Sequence, residues 1–357
     1  MRRGLIAWSK SELPSAVFEH RIARARQAMA AAGIDALVLY TNNSRTAGVS
    51  WFAGFIPYWS EGLLIIPRQG TPALVVGLSR RVQFWLEATS HVPVHNAPRV
   101  GTEAARIIAE GAPGAIVGIV DLNGLPTGVA DDMTAAGGGL RLIDATQSVQ
   151  QLRAAAEPCE IALAAAAGRI ARRALSLSRA DDQEIGPLLA TAEREARSLG
   201  AEEIYLAAAP DLERSRHLRR IEGQAQLGHS AAVRATVAYK GHWVRMTRTF
   251  RVAESAFAEA RNRFADAVAM LPDPKGFAAA SSWLIEGCRT AQPLEPLAGS
   301  LVSEPVALPP GALVSVQASY EIRGAPILIG APALLGHGGE AAALLCQPDF
   351  ADAARAC

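Results

Sequence analysis

Near Gln151 the rhythm of the chain changes, and this limits what it can fold into more than any other feature. Before that point strand-like and helix-like segments alternate. Apolar spacing over residues 18–32 predicts a helix ending at Gly33, and Asp35-Ala-Leu-Val-Leu-Tyr40 follows as a buried strand. Further strands are expected at 63–66, 73–77, 115–120 and 140–143, with helices near 81–89 and 102–110. Such alternation builds an α/β layer whose sheet is at least partly parallel. After Gln151 come two long Ala-rich helices, 157–177 and 182–199, then strands at 204–208, 233–239 and 242–252. A helical pair is expected at 256–270 and 276–290, and last strands at 312–322 and 327–335. Helices segregated from mostly antiparallel strands indicate α+β. The expectation is two domains, 1–150 and 151–357.

Composition removes several function classes. Half of the 357 residues are hydrophobic, enough for ordinary cores, and the net charge of +1 provides no field to attract nucleic acid or anionic lipid. Arg is common, whereas Lys occurs only at 10, 240 and 275. The cysteines at 159, 288, 346 and 357 share no CxxC spacing, so neither a zinc knuckle nor a disulfide framework is indicated. The opening MRRGLIAWSKSELP lacks the apolar run of a signal peptide, and no stretch approaches the length of a membrane helix. A soluble cytoplasmic protein is expected, with no nucleic-acid or membrane partner.

The second half carries a pattern of weak motifs in fixed order. Val149-Gln-Gln-Leu-Arg153 and Glu157-Pro-Cys-Glu-Ile161 precede an Ala-rich helix. Gly228, Gly241 and Thr247-Arg248-Thr249 punctuate a strand pair, and Pro309-Pro-Gly-Ala-Leu-Val-Ser-Val-Gln317 opens a later strand. In the first half stand Gly33-Ile-Asp-Ala-Leu37 and Trp51-Phe-Ala-Gly-Phe55. Together these resemble the creatinase and prolidase family over nearly the whole chain. The resemblance implies an α/β N-terminal domain followed by an α+β pita-bread domain, and a homodimer.

In that family the resemblance implies a dinuclear metal cup built from five ligands. This chain departs from it. At the two aspartate positions stand Arg234 and Arg245, at the histidine Pro296, and at the two glutamates Gln317 and Ile329. A guanidinium has only donors and repels a cation, so no metal and no other cofactor is expected. Creatinase works without metal, and His217 lies 17 residues before Arg234, the spacing of the family's site histidine. Its imidazole is the candidate general acid/base, since it titrates near working pH. It stands in a charged run where a merely solvated histidine is equally expected.

Arg234 and Arg245, with the neutral Thr247 and Gln317, suit a small anion rather than creatine. The opposing reading is that both arginines turn away and pair with carboxylates. Tyr58, Trp59 and Glu61 lie in a loop that, by resemblance to creatinase-like dimers, can wall the partner's site, although an ordinary amphipathic loop or strand entry is equally expected. Arg248 is expected to be a structural group behind the site, and Gly336-His-Gly-Gly339 reads as a turn, not a phosphate cradle. The leading expectation is a metal-independent hydrolase or lyase acting at a C–N bond of a small anion. The alternatives are a non-catalytic binding protein for a peptide, metabolite or partner chain, and a metal-dependent Xaa-Pro peptidase if the correspondence slips.

Overall fold

The computed structural model describes residues 8–57, 59–178, 180–181, 183–221, 224–288, 296–304 and 306–350. The chain divides into two compact units, 1–153 and 154–357.

The first unit opens with α1 (Ser15–Ala32), stopped at Gly33, where a left-handed φ of 67° returns its N–H to the Ala30 carbonyl. Then come β1 (Ala36–Thr41), α2 (Ala47–Ala53), β2 (Gly62–Pro67), β3 (Ala73–Val76), α3 (Gln83–Thr89) and β4 (Val94–Asn96). They are followed by α4 (Val100–Gly111), β5 (Ile116–Val120), α5 (Thr127–Ala136), β6 (Arg141–Asp144) and α6 (Thr146–Leu152). The strands form one sheet in the order β4-β3-β2-β1-β5-β6. β2 runs antiparallel to both neighbours, while β1, β5 and β6 are mutually parallel. Alternate residues feed two cores. Leu37, Leu39, Leu64 and Ile66 pack with Ile22, Phe52 and Leu86, and Val38, Ile65 and Val117 pack with Ala104 and Met133. A sheet covered on both faces needs such near-continuous apolar strands.

The second unit begins with α7 (Pro158–Leu177), whose start is fastened by a capping box between Glu157 and Glu160. It continues with α8 (Ile185–Ser198), β7 (Glu203–Ala209), β8 (Ala231–Tyr239), β9 (His242–Phe250) and α9 (Glu254–Ala269). The last elements are β10 (Ser282–Gly287), β11 (Ala298–Gly299), β12 (Leu313–Ile322), β13 (Ala325–Leu334) and β14 (Ala343–Leu344). The sheet runs β11-β10-β12-β13-β9-β8-β7, with β14 on β13. Val233, Ala235, Val244, Met246, Val316 and Ile329 share a core with Ala171, Leu188 and Phe264 of the helices. The helices thus cover one face, and the alternate residues of the central strands look the other way.

One expected element is overturned. Of the helix expected at 276–290, residues 289 and 290 lie outside the described residues, and 276–288 are not a helix: a single turn at Pro274–Phe277 precedes β10, which pairs along its length with β12. Ile285 gains complete burial from that pairing, and tertiary packing outweighs local propensity. Among the described residues no helix is long and apolar enough to cross a membrane.

Candidate functional site

The site starts with a hairpin. Tyr239 pairs with His242, leaving Lys240 (φ 47°) and Gly241 (φ 78°) as a two-residue turn with both residues left-handed. This turn suits the strand twist and sets the register. Arg234 then lies opposite Thr247, and Thr236 opposite Arg245. Arg234 and Arg245 are therefore diagonal neighbours on the same face, and it is the face without helices.

The row continues across the sheet. Thr247 pairs with Gly330 of β13, and Gly330 with Gln317 of β12. Thr247 and Gln317 are two strands apart, yet the Thr247 hydroxyl donates to the Gln317 Oε1 at 3.1 Å. Gly330 makes room for that bond: a Cβ there would stand 3.1 Å from the Thr247 Oγ1. One row along, Ser315 pairs with Glu286 of β10 and accepts from the Arg245 N–H at 3.2 Å.

Glu286 joins the two arginines. Arg234 donates to its Oε2 at 3.3 Å, and the Arg245 Nε lies 3.9 Å from the same oxygen. On a flat sheet Arg234 and Glu286 would be about 19 Å apart, four strand spacings, so their contact requires a concave face. The Arg245 guanidinium also donates to the Gly287 carbonyl at 3.0 Å. The Glu286 and Arg245 side chains are 5% and 3% exposed, whereas Arg234 retains 15%. The Arg234 Nε is buried without a hydrogen-bond partner among the described residues. Burial pushes the Arg234 guanidinium below its ordinary pKa and the like charge of Arg245 adds to this, with Glu286 pulling the other way.

The structure thus brings Arg234, Arg245, Thr247 and Gln317 onto one face, and places Glu286, which the sequence reading missed, between the arginines. The arginines do not turn away from this face, yet both pair with a carboxylate on it, Glu286. Ile329 is corrected: it is fully buried in the helix-side core, and the residue of β13 on the open face is Gly330. Pro296 is exposed and has no donor side chain. Arg248 faces the helices, where it donates to the Leu175 carbonyl and lies over the rings of Phe250 and Phe350.

His217 is exposed, and among the described residues no hydrogen bond of its ring joins it to Arg234, Arg245, Thr247 or Gln317. Its neighbours do engage this face. Arg216 donates to the Ser319 hydroxyl at 3.3 Å and pairs with Glu321, and Leu218 packs against Ala232 and Leu328. In the first unit Glu61 accepts from the Tyr40 hydroxyl at 2.8 Å, and Trp59 stacks on Trp85. Tyr58 lies outside the described residues.

The donor set does not fit the metal cup that the resemblance implies. Around Thr247 the open face offers two guanidiniums, hydroxyls and an amide, and Glu286 is held by both guanidiniums. Among the described residues no three His, Cys, Asp or Glu side chains converge. What the arrangement can do is hold an anion by charge-assisted hydrogen bonds.

Residues 21–155 match the Creatinase/Prolidase N-terminal domain. No curated protein matches the sequence. The prolidase from Pyrococcus horikoshii is 14% identical, with a TM-score of 0.69 over 91% of this chain and 97% of its own. The X-Pro aminopeptidase from Thermotoga maritima is 16% identical, also at 0.69 over 91% and 97%. The Xaa-Pro dipeptidase from Bacillus anthracis is 19% identical, at 0.65 over 92% and 97%. Residues 21–155 thus carry the creatinase/prolidase N-terminal domain, and the chain shares the fold of these prolidases and Xaa-Pro peptidases along almost its whole length.

Proposed function

We propose that the open face of the second domain binds a small organic anion without metal, and that the chain acts on it as a hydrolase at a C–N bond. The observation that carries the anion is Arg234. Its guanidinium is largely buried and shares Glu286 with Arg245, and its Nε–H has no acceptor among the described residues. A buried donor without a partner costs about 1–3 kcal/mol, and an arriving carboxylate relieves that cost. Thr247 and Gln317 lie in the same row as Arg234 and orient the reacting centre. The hydrolase reading rests on the fold, which is that of enzymes described as prolidases and Xaa-Pro peptidases.

A second reading, binding without turnover, draws on the exposed His217, whose ring makes no hydrogen bond to Arg234, Arg245, Thr247 or Gln317 among the described residues. A thermal-shift screen of small carboxylates and their neutral amides, with a product search on every hit, tests both. Stabilisation by acids and not by amides, with product released and lost in His217→Ala, supports the hydrolase. Stabilisation without product supports binding alone. Two equivalents of Mn, Zn or Co on protein purified without chelators overturns the metal-free reading.

A further inference from the structure

The hydrogen bond between Thr247 and Gln317 decides which end of an amide the open face shows. Thr247 donates and the Gln317 Oε1 accepts, at 3.1 Å, so the amide oxygen is already engaged. Among the described residues the Gln317 Nε2 makes no hydrogen bond. An amide nitrogen has two donors and no acceptor. Gln317 stands beside the Arg234 guanidinium by two relations. Arg234 is directly opposite Thr247, the residue that holds Gln317. From β8 the Arg234 side chain also reaches Glu286 on β10 at 3.3 Å, across β9, β13 and β12. Glu286 pairs with Ser315, two residues before Gln317 on β12, so Glu286 and Gln317 are diagonal neighbours on one face. The Arg234 Nε–H, unpartnered among the described residues, and the Gln317 Nε2 therefore border one stretch of the concave face.

Resting on the anion reading above, we propose that Gln317 determines specificity, its Nε2 donating to a carbonyl oxygen of a ligand whose carboxylate lies on Arg234. The class that fits is an N-acylated amino acid, whose carboxylate and acyl oxygen are both acceptors. A free ammenium in place of the acyl group is disfavoured, because it would join two guanidiniums and find Glu286 already held by both. In hydrolysis of this class the oxygen of water bonds to the acyl carbon, the C–N bond breaks, and the nitrogen leaves with a proton from the water. Negative charge gathers meanwhile on the carbonyl oxygen that Gln317 faces, where a fixed donor stabilises it most.

Isothermal titration of the full-length protein with levulinate, pentanoate and N-acetylglycine tests the assignment. Levulinate differs from pentanoate by a carbonyl in place of one methylene, and N-acetylglycine carries that carbonyl in an amide. The quantity read is each carbonyl acid's affinity divided by that of pentanoate. Both ratios should fall about fivefold in Gln317→Leu, the worth of one neutral hydrogen bond. They should fall likewise in Gln317→Glu, whose carboxylate has no donor and whose charge weakens all three acids alike. Thr247→Val frees the amide to turn and should lower the ratios by less. Ratios that stay level or rise in Gln317→Leu overturn the donor role while leaving the anion site standing. Failure of all three acids on the unmodified protein overturns the anion reading itself. A melting curve verifies that each variant folds, and the nearly isosteric Gln317→Glu carries the test if Gln317→Leu does not.

Discussion

Thr247 and Gln317 hydrogen-bond at 3.1 Å across the strand that separates them, because the residue beneath the bond is Gly330. A methyl at 330 would meet the Val316 carbonyl at 2.9 Å and the Thr247 Cβ at 3.3 Å. Both neighbours are fixed by the sheet, so relaxation is limited. Gly330→Ala should destabilise the second domain by about 1–3 kcal/mol, the usual cost of overpacking. It should also part Thr247 from Gln317. Urea denaturation gives the first, and a crystal structure of the variant the second. An unchanged denaturation midpoint would mean that β13 stands farther from the two side chains than described.

Glu286 is a buried carboxylate between two guanidiniums, and its removal has two separable effects. Glu286→Gln leaves the arginines with an amide in place of a charge. Breaking such a buried arrangement costs about 3–5 kcal/mol, so the variant should melt well below the parent. It should also be stabilised more than the parent by added acetate, because the new anion replaces the lost carboxylate. Melting curves with and without acetate, at constant ionic strength set with a chloride salt, read out both. Equal acetate stabilisation in parent and variant would separate Glu286 from the anion site.

His217 is exposed and makes no ring hydrogen bond among the described residues. Its replacement by Ala should change stability by no more than about 0.5 kcal/mol, as for most surface positions. Any loss of turnover in His217→Ala is then chemical rather than structural. A loss of stability beyond about 1 kcal/mol would show that the ring holds the 211–220 strip in place.

How far the sequence carried can be read from particular residues. Gly241 and Thr247-Arg248-Thr249 marked β8 and β9, and the regular strand rhythm revealed most of the first sheet. The face shared by Arg234 and Arg245 was not readable, because an odd separation within a hairpin acquires a phase only when the turn is known. Here that turn is Lys240-Gly241. Ile329 stands at a glutamate position only through the family resemblance, and the sequence offers no check on it, because β13 is buried over nearly its whole length and a continuous apolar run has no alternation to show its phase. β10 was missed, with Glu286 on it, because its partner β12 begins some 26 residues downstream and local residues carry no sign of a long-range pairing. α5 went unmarked too, its Thr-Gly-Val-Ala-Asp-Asp start offering little apolar periodicity.

Tyr320 offers a stability test away from the site. It is 1% exposed, and its hydroxyl has no hydrogen-bond partner among the described residues. Burial pushes the phenol up to about 12, against about 10 for an unfolded tyrosine. A folded-state pKa above the unfolded one means that the native chain keeps its proton longer. The stability tied to this group is full below pH 10 and is lost as pH rises toward 12, where the unfolded chain ionises and the native chain does not. Tyr320→Phe removes both the unpartnered hydroxyl and the titration. The variant should be about 1 kcal/mol more stable than the parent at pH 8, with the difference widening by pH 11. Guanidinium chloride unfolding at the two pH values measures it. A constant or shrinking difference would mean that the hydroxyl is hydrated in solution.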